Sequence, residues 1–312
     1  MTDFFIKLYK LAHFKNESGF FAKIRFYSLL RFSIRFISNL ILPFWYIITS
    51  SKTYQVQKSS NFVITLTSFP LRIGRLWLTI ETILRQTLPP ARIILWLSKE
   101  QFPNKYNDLP PRLLKQCKRG LEIIFVDHDI RSHKKYKYFL EQFSETDFVT
   151  IDDDIYYSSN LLENLYKEHI KFPQDVIAAY VHEMKYDKYD KLQTYNSWNH
   201  FTLSEKNLFF GSGGGTYFPS GVFYVDVTNI EKAIKLCPLA DDVWLNAQVR
   251  LAGNSVRRLP YKKRYVFLEV MRLNDIKLNS QNVYNDQLND KQISDVINEY
   301  IAKGEKNPFM KE

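Results

Sequence analysis

Four short apolar runs, Phe62 to Ser68, Ile93 to Leu97, Leu121 to Val126 and Phe148 to Ile151, constrain this chain more than any other feature. Each is rich in β-branched or aromatic side chains, and none alternates cleanly with polar residues. That pattern marks strands buried on both faces. A helical pattern from about Arg75 to Gln86 follows a turn at Pro70 and Arg72 and is stopped by Thr87-Leu-Pro-Pro90; a second, Lys134 to Phe143, precedes the fourth run. Strand and helix therefore alternate from Phe62 to about Lys171. This predicts an α/β fold whose mostly parallel central sheet is flanked by helices.

The fourth run ends in three consecutive carboxylates, Asp152, Asp153 and Asp154. They are expected at the carboxyl end of a central strand, the edge where open α/β sheets bind ligands. Adjacent carboxylates repel unless a proton or cation separates them, and a divalent metal is the simplest remedy. In an extended chain Asp152 and Asp154 point the same way and can share one hard cation or its water shell, while Asp153 faces elsewhere. The competing reading is a solvated acidic turn.

The second half is less regular. Val176 to Val181 predicts a strand, with His182 at its end either lining the same pocket or serving structure alone. Residues 183–210, rich in Tyr, Asn, Lys and Trp, read as a long functional loop. Gly211-Ser-Gly-Gly-Gly215 follows, then a further strand over Pro219 to Val225. Glycines 213–215 suit either the wall of a ligand pocket or a hinge. Ala240-Asp-Asp-Val-Trp244 opens a helix, with Asp241 and Asp242 in the first turn where the macrodipole favours carboxylates.

Of 312 residues, 45% are hydrophobic and 16% aromatic, enough for a substantial core. The formal net charge of +10 is concentrated at the N-terminus: residues 1–60 carry nine Lys/Arg against two Asp/Glu, an excess of +7. A nucleic-acid groove spread over the fold is thereby disfavoured. Lys23, Arg31 and Arg35 are interleaved with Phe and Leu, which suits a basic amphipathic helix on an anionic membrane surface or, alternatively, a helix docked on the rest of the protein. The uncharged stretch Phe36 to Ser51 is short for a span, contains Pro43, and lacks the cleavage site of a secretory signal. Two cysteines, Cys117 and Cys237, argue against a zinc site or disulfide framework.

Taken in order, Thr65-Leu-Thr-Ser-Phe-Pro-Leu-Arg72, Lys134-Lys135, Asp152-Asp-Asp154, Gly213-Gly-Gly215 and Ala240-Asp-Asp-Val-Trp244 resemble a bacterial GT-A class glycosyltransferase, similar to family-2-like enzymes and more distantly to exostosin-like ones, over roughly residues 60–260. The resemblance implies a GT-A nucleotide-diphospho-sugar transferase fold. It also implies Mn²⁺ or Mg²⁺ held by Asp154 with Asp152, whose charge would stabilise the leaving diphosphate. Thr67, Ser68, Arg72, Lys135, Asp152, Asp153, Gly214, Gly215 and His182 are then expected to bind the nucleotide sugar. Asp242, with Asp241 beside it, is expected to take the proton of the acceptor hydroxyl, against the alternative of a helix cap. For Lys135 the alternative is a solvated helix lysine.

The organisation so implied is a basic amphipathic segment over 1–58, a catalytic domain over 59–260, and a C-terminal extension over 261–312 packed on it. The expected activity is transfer of a sugar, with a UDP-sugar as first choice of donor, to a saccharide or lipid-linked acceptor in surface polysaccharide or lipopolysaccharide assembly. The expected location is the cytoplasmic inner face of the cell membrane. A catalytically silent carbohydrate- or lipid-binding protein on the same fold is the alternative. Consecutive carboxylates on one strand cannot flank a bond across a cleft as a glycosidase requires.

Overall fold

The computed structural model describes residues 1–13, 25–50, 54–199, 202–261, 265–271 and 286–312. Two helices, α1 (Thr2–His13) and α2 (Phe26–Thr49), come first. The alternating region follows as β1 (Phe62–Thr67), α3 (Pro70–Leu84), β2 (Arg92–Ser98), α4 (Pro111–Cys117), β3 (Leu121–Val126), α5 (Lys134–Gln142) and β4 (Asp147–Ile151). Beyond it lie β5 (Ile155–Tyr156), α6 (Leu161–Lys171), β6 (Val176–Ala178), β7 (Val181–Glu183), β8 (Leu208–Phe210) and β9 (Gly214–Phe218). The described chain ends with α7 (Ile230–Leu236), α8 (Asp241–Leu251), β10 (Val256–Arg258), β11 (Leu268–Glu269) and α9 (Asp286–Ala302).

Seven strands form the central sheet in the order β10-β6-β9-β4-β1-β2-β3, all neighbours parallel except β9, which runs antiparallel to both β4 and β6. The fold is the expected α/β arrangement, a mostly parallel sheet with helices on both faces. Successive strand residues feed opposite layers: Ile64, Leu66, Ile93 and Leu95 enter one core with α3, while Val63, Ile94, Trp96 and Phe148 enter the other with Phe139 and Trp244. Burial on both faces explains why these runs read as continuous apolar stretches.

Three boundaries differ from expectation. The strand expected over Val176 to Val181 divides into β6, in the central sheet, and β7, paired with β8 outside it. Helix α3 begins at Pro70, not near Arg75, because a proline at the first helical position has its φ already set and sacrifices no hydrogen bond. The strand expected over Pro219 to Val225 is Gly214–Phe218 instead. Pro219 has no N–H to give to a ladder, so pairing stops before it.

Helix α2 turns Ile34, Ser38, Leu42 and Tyr46, recurring every fourth residue, toward the body of the protein. These apolar residues and Phe5, Ile6 and Ala12 of α1 belong to the same core as Leu66 and Leu76. The opposite face of α2 is bare: Leu29 is 63% exposed, Phe44 68% and Ile48 80%. Pro43 lies inside the helix. The cations also differ from expectation. Arg35 pairs with Glu269, and Arg31 donates to the Ala12 carbonyl at 3.3 Å, so both turn back on the protein where unmatched polar groups attract them. Lys23 lies outside the described residues.

Candidate active site

The carboxyl ends of β1 and β4 open beside the start of α8, and one buried amine joins them. Lys135, 4% exposed in the first turn of α5, places its Nζ 3.1 Å from Asp152 Oδ1, 3.2 Å from Asp241 Oδ2 and 3.1 Å from Ser212 Oγ. Ser212 in turn donates to Asp241 at 2.6 Å. Helix α5 is held in this position from the sheet: Thr65 of β1 donates to the Lys135 carbonyl, and the Trp96 indole donates to Thr65 Oγ1 at 2.8 Å. A buried ammonium is tolerable only when paired, and here burial opposes the charge while Asp152, Asp241 and Asp242 outweigh it and raise the pKa. The solvated-lysine alternative for Lys135 is overturned.

The acidic triplet does not divide as strict alternation predicts: Asp153 and Asp154 share the Arg72 guanidinium, whereas Asp152 turns to Lys135, because the chain leaves the extended conformation after β4. Asp153 is 5% exposed and accepts from Ser68 Oγ at 2.6 Å and from the Arg72 guanidinium at 2.7 Å. Asp152 and Asp154 remain partly open, with side chains 41% and 27% exposed, and Asp154 lies 3.0 Å from the same Arg72. Asp153 therefore ties the loop to α3 while its neighbours keep carboxylate oxygens toward solvent. The Asp152 N–H donates to the Gly213 carbonyl at 3.1 Å and to the Tyr157 hydroxyl at 2.9 Å, and that hydroxyl donates to the same carbonyl.

Asp242 and Asp241 differ electrostatically although adjacent. Burial and the neighbouring Asp241 push the Asp242 carboxyl up to about 7. For Asp241, burial acts in the same direction but the Lys135 ammonium prevails and holds it below the ordinary range. Neither side chain caps the helix: Ala240 occupies the N-cap position and no side-chain cap bond forms. His133, beneath this group, donates from one ring nitrogen to the Cys237 carbonyl at 2.8 Å and meets Tyr136 Oη at 2.7 Å with the other; burial lowers its pKa.

A cavity of about 620 Å³ opens onto this edge. Of the expected residues, Thr67, Ser68, Arg72, Lys135, Asp152 and Asp153 line it. Two of its lining residues hold buried polar atoms without a partner, Arg72 Nε and Gln101 Oε1, one donor and one acceptor available to a polar ligand. Thr67 already donates to the Trp96 carbonyl at 2.8 Å. Asp154, Asp241 and Asp242 lie beside the cavity through their Arg72 and Lys135 contacts and do not form its wall.

Three expected residues are placed differently. Gly214 and Gly215 sit within β9, where an added Cβ would meet Tyr180 at 2.5 Å and Leu161 at 2.8 Å. They serve close packing inside the sheet and not the pocket wall. Gly213 is the glycine at the site, since a Cβ there would fall 1.8 Å from the Asp152 carboxylate. His182 in β7 is 4% exposed against Tyr180, Tyr195 and Phe209 and does not line this cavity.

The sequence reading missed Gln101, Asp129 and Arg131, which also line the cavity, and named Lys134 only as part of the Lys134-Lys135 motif. Gln101 follows β2, while Asp129 and Arg131 follow β3, so all three stand at the same carboxyl edge as Asp152, but in loops that carry no motif. Arg131 adopts a left-handed backbone, φ 54°, an uncommon conformation for a non-glycine residue. Asp129 accepts from both Gln101, at 2.6 Å, and Lys134.

Whether these residues suit a divalent cation is a question of donor set. Among the described residues no three His, Cys, Asp or Glu side chains cluster tightly enough to hold a metal by themselves. Asp152 and Asp154 supply two hard, partly open carboxylates, and Mg²⁺-type sites commonly use one or two carboxylates completed by phosphate oxygens and water. In donor type these two carboxylates suit a cation that arrives with a diphosphate, although Asp154 is paired with Arg72 and Asp152 with Lys135 here.

No protein-family profile matches the chain, and no curated protein sequence matches it. Solved structures similar to it include a mannosyltransferase from Pyrobaculum calidifontis in complex with GDP-Man and Mn²⁺, at 11% identity and TM-score 0.49, covering 89% of this chain and 75% of the other. S. aureus TarS 1–349 in complex with UDP is similar at 13% identity and TM-score 0.39, covering 66% and 60%. A 4-diphosphocytidyl-2C-methyl-D-erythritol synthase is similar at 8% identity and TM-score 0.37, covering 72% and 99%. At such values the chemistry rests on this chain's own residues.

Proposed function

We propose that this chain is a metal-dependent glycosyltransferase of the GT-A class, moving a sugar from a nucleotide-sugar donor, with a UDP-sugar as first choice, to a saccharide or lipid-linked acceptor. The observation that carries the reading is the Lys135 bridge. It joins the donor-side carboxylate Asp152 to the Asp241-Asp242 pair beside a cavity with unpaired buried polar atoms. A silent binding protein has no need of a carboxyl poised near neutrality next to a cationic, ligand-sized cavity.

Arg72, with its unpaired Nε, and Arg131 supply positive charge for the donor diphosphate from the cavity wall. Asp152 and Asp154 would hold Mn²⁺ or Mg²⁺, which when bound offsets the charge developing on the leaving diphosphate. Asp153 holds the loop through Ser68 and Arg72. Asp242 takes the proton of the acceptor hydroxyl as the new bond forms, and Lys135 keeps Asp241 ionised beside it. The bare apolar face of α2 supports a peripheral seat on the cytoplasmic face of the cell membrane, where surface polysaccharide or lipopolysaccharide is assembled.

A thermal-shift screen of nucleotide sugars with and without Mn²⁺ tests the reading, followed by measurement of donor hydrolysis and transfer. A metal-dependent rise in melting temperature with at least one donor is expected. Absence of both metal-dependent binding and turnover across the common donors would leave the silent binding protein as the better account.

A further inference from the structure

The amphipathic helix lacks one thing an anionic surface requires: its cations Arg31 and Arg35 are taken up within the protein. The positive charge lies instead at the helix's C-terminal end. There a second cavity, of about 260 Å³, separate from the active site, opens between α2, α3 and α4. Arg112, Lys115 and Arg119 recur at three- and four-residue spacing and all line it, with Glu81 as the one carboxylate.

Glu81 is already matched, by Arg119 at 2.7 Å and Arg85 at 2.8 Å. Arg112 lies over the Trp77 ring at 5.0 Å, and among the described residues neither Arg112 nor Lys115 has a carboxylate partner. Gln116, 3% exposed, lines the same cavity and leaves its Oε1 unpaired. Ile47 belongs both to the cavity wall and to the bare apolar face, next to Phe44 and Ile48. A cationic, partly enclosed pocket thus continues directly into the apolar surface of the helix. Its shape and charge complement a single molecule with a phosphate head and hydrocarbon tails.

We infer that this cavity is a headgroup site for an anionic phospholipid, taking the phosphate between Arg112 and Lys115 while the acyl chains lie along Phe44, Ile47 and Ile48. The inference deepens the membrane seating proposed above and rests on that part of it. An in-plane amphipathic helix sinks its apolar face to the headgroup boundary, which brings the cavity at its end to the level of the phosphates. The orientation is in-plane although α2 is long and apolar enough to cross a membrane by length and composition. Crossing would strip Ile34, Leu42 and Tyr46 from the core they share with α3.

The test is flotation of the full chain with vesicles of phosphatidylcholine alone or mixed with phosphatidylglycerol. The wild type is compared with Arg112→Gln/Lys115→Gln and with the charge-matched control Lys188→Gln/Lys206→Gln. UDP and Mn²⁺ binding is measured on the same samples. The wild type should bind the mixed vesicles about tenfold or more tightly than the neutral ones, an effect expected of two cations near an anionic surface. The Arg112/Lys115 variant should lose that preference yet keep binding to neutral vesicles, and the control should retain both. A variant that keeps the preference overturns the headgroup site while leaving the apolar seating intact. A wild type that binds neither vesicle overturns the seating too, while its UDP and Mn²⁺ binding reports separately on the catalytic reading. If inorganic phosphate without lipid raises the melting temperature of the wild type and not of the Arg112/Lys115 variant, the site takes soluble anions and the lipid assignment fails.

Discussion

The main-chain carbonyl of Asn39 accepts a hydrogen bond from the Arg75 guanidinium at 3.2 Å. Within an uninterrupted helix that carbonyl would bond to the N–H of residue 43, but residue 43 is proline. An arginine one turn beyond Arg72 on α3 thus fills the gap that Pro43 leaves in α2. The Asn39 side chain extends the junction: Oδ1 accepts from the Met271 N–H at 2.9 Å and the Tyr156 hydroxyl at 3.2 Å, and Nδ2 donates to the Glu269 carbonyl at 2.9 Å. The N-terminal helix is in this way fastened to the strand pair that follows the acidic triplet. Asn39→Leu should destabilise the protein by about 1–3 kcal/mol, since buried partners are left without acceptors. Chemical denaturation measures it, and an unchanged midpoint would show the junction to be dispensable.

Gly213→Ala should weaken donor binding about tenfold or more, because its Cβ would fall 1.8 Å from the Asp152 carboxylate and displace it. Gly74→Ala on α3, where nothing lies within 4 Å, is the contrast and should be neutral or stabilise by up to about 1 kcal/mol. Calorimetric titration with UDP and Mn²⁺ compares the two; equal affinities would detach Gly213 from the site.

Asp154→Ala and Asp153→Ala should fail in different ways. The first removes a partly open carboxylate and should abolish metal-dependent donor binding with little loss of stability. The second strips Ser68 and Arg72 of a buried shared acceptor and should destabilise by about 1–3 kcal/mol. Thermal melts with and without Mn²⁺ and UDP separate the outcomes; full metal-dependent binding in Asp154→Ala would remove the metal role from that residue.

Transfer should rise with pH through a midpoint near 7, because Asp242 must lose its proton to act as base and its carboxyl is pushed up to about 7 by burial and Asp241. Stability should run the other way. The folded state keeps this proton to about 7 whereas the unfolded chain releases it near an ordinary Asp value of about 3.9, so the contribution to stability is complete below about pH 4 and is lost as pH rises to about 7. Asp242→Asn should flatten that slope and abolish transfer while leaving donor affinity intact. Near-normal turnover of this variant, followed by product assay, would remove Asp242 from the chemistry.

Replacing Phe36, Leu40, Phe44 and Ile48 together by serine should release the chain from vesicles with little loss of stability, since all four lie on the exposed face of α2. Removing residues 1–50 outright is a poorer test, because Phe5, Ile6, Leu42 and Tyr46 are buried in the shared core and their loss would expose it. Flotation of the serine variant decides the matter; undiminished vesicle binding would place the membrane contact elsewhere.

The order of residues by itself determined the strands β1 to β4, the helices α3 and α5 and the position of the acidic triplet, but not α4. Each is a local pattern: an apolar run long enough for one strand, a proline that opens or stops a helix, carboxylates at a strand's end. While Ser68 and Arg72 came from the resemblance of the ordered motifs, the same logic, that parallel strands deliver their carboxyl ends to one edge, reached Asp152. It did not reach Gln101 or Arg131, whose loops carry no motif and gain meaning only from standing beside that edge.

Other assignments required the tertiary structure. Which glycine of three faces Asp152 depends on the pairing of β9 with β4, a contact between segments some sixty residues apart. Whether Lys135 is solvated or buried depends on Thr65 and Trp96 drawing α5 onto the sheet. Arg31 and Arg35 looked available for a headgroup layer until the fold brought Ala12 and Glu269 to them. Charge and periodicity are properties of a segment, but the partner that neutralises a charge is chosen by chain-distant packing, and only the folded molecule contains it.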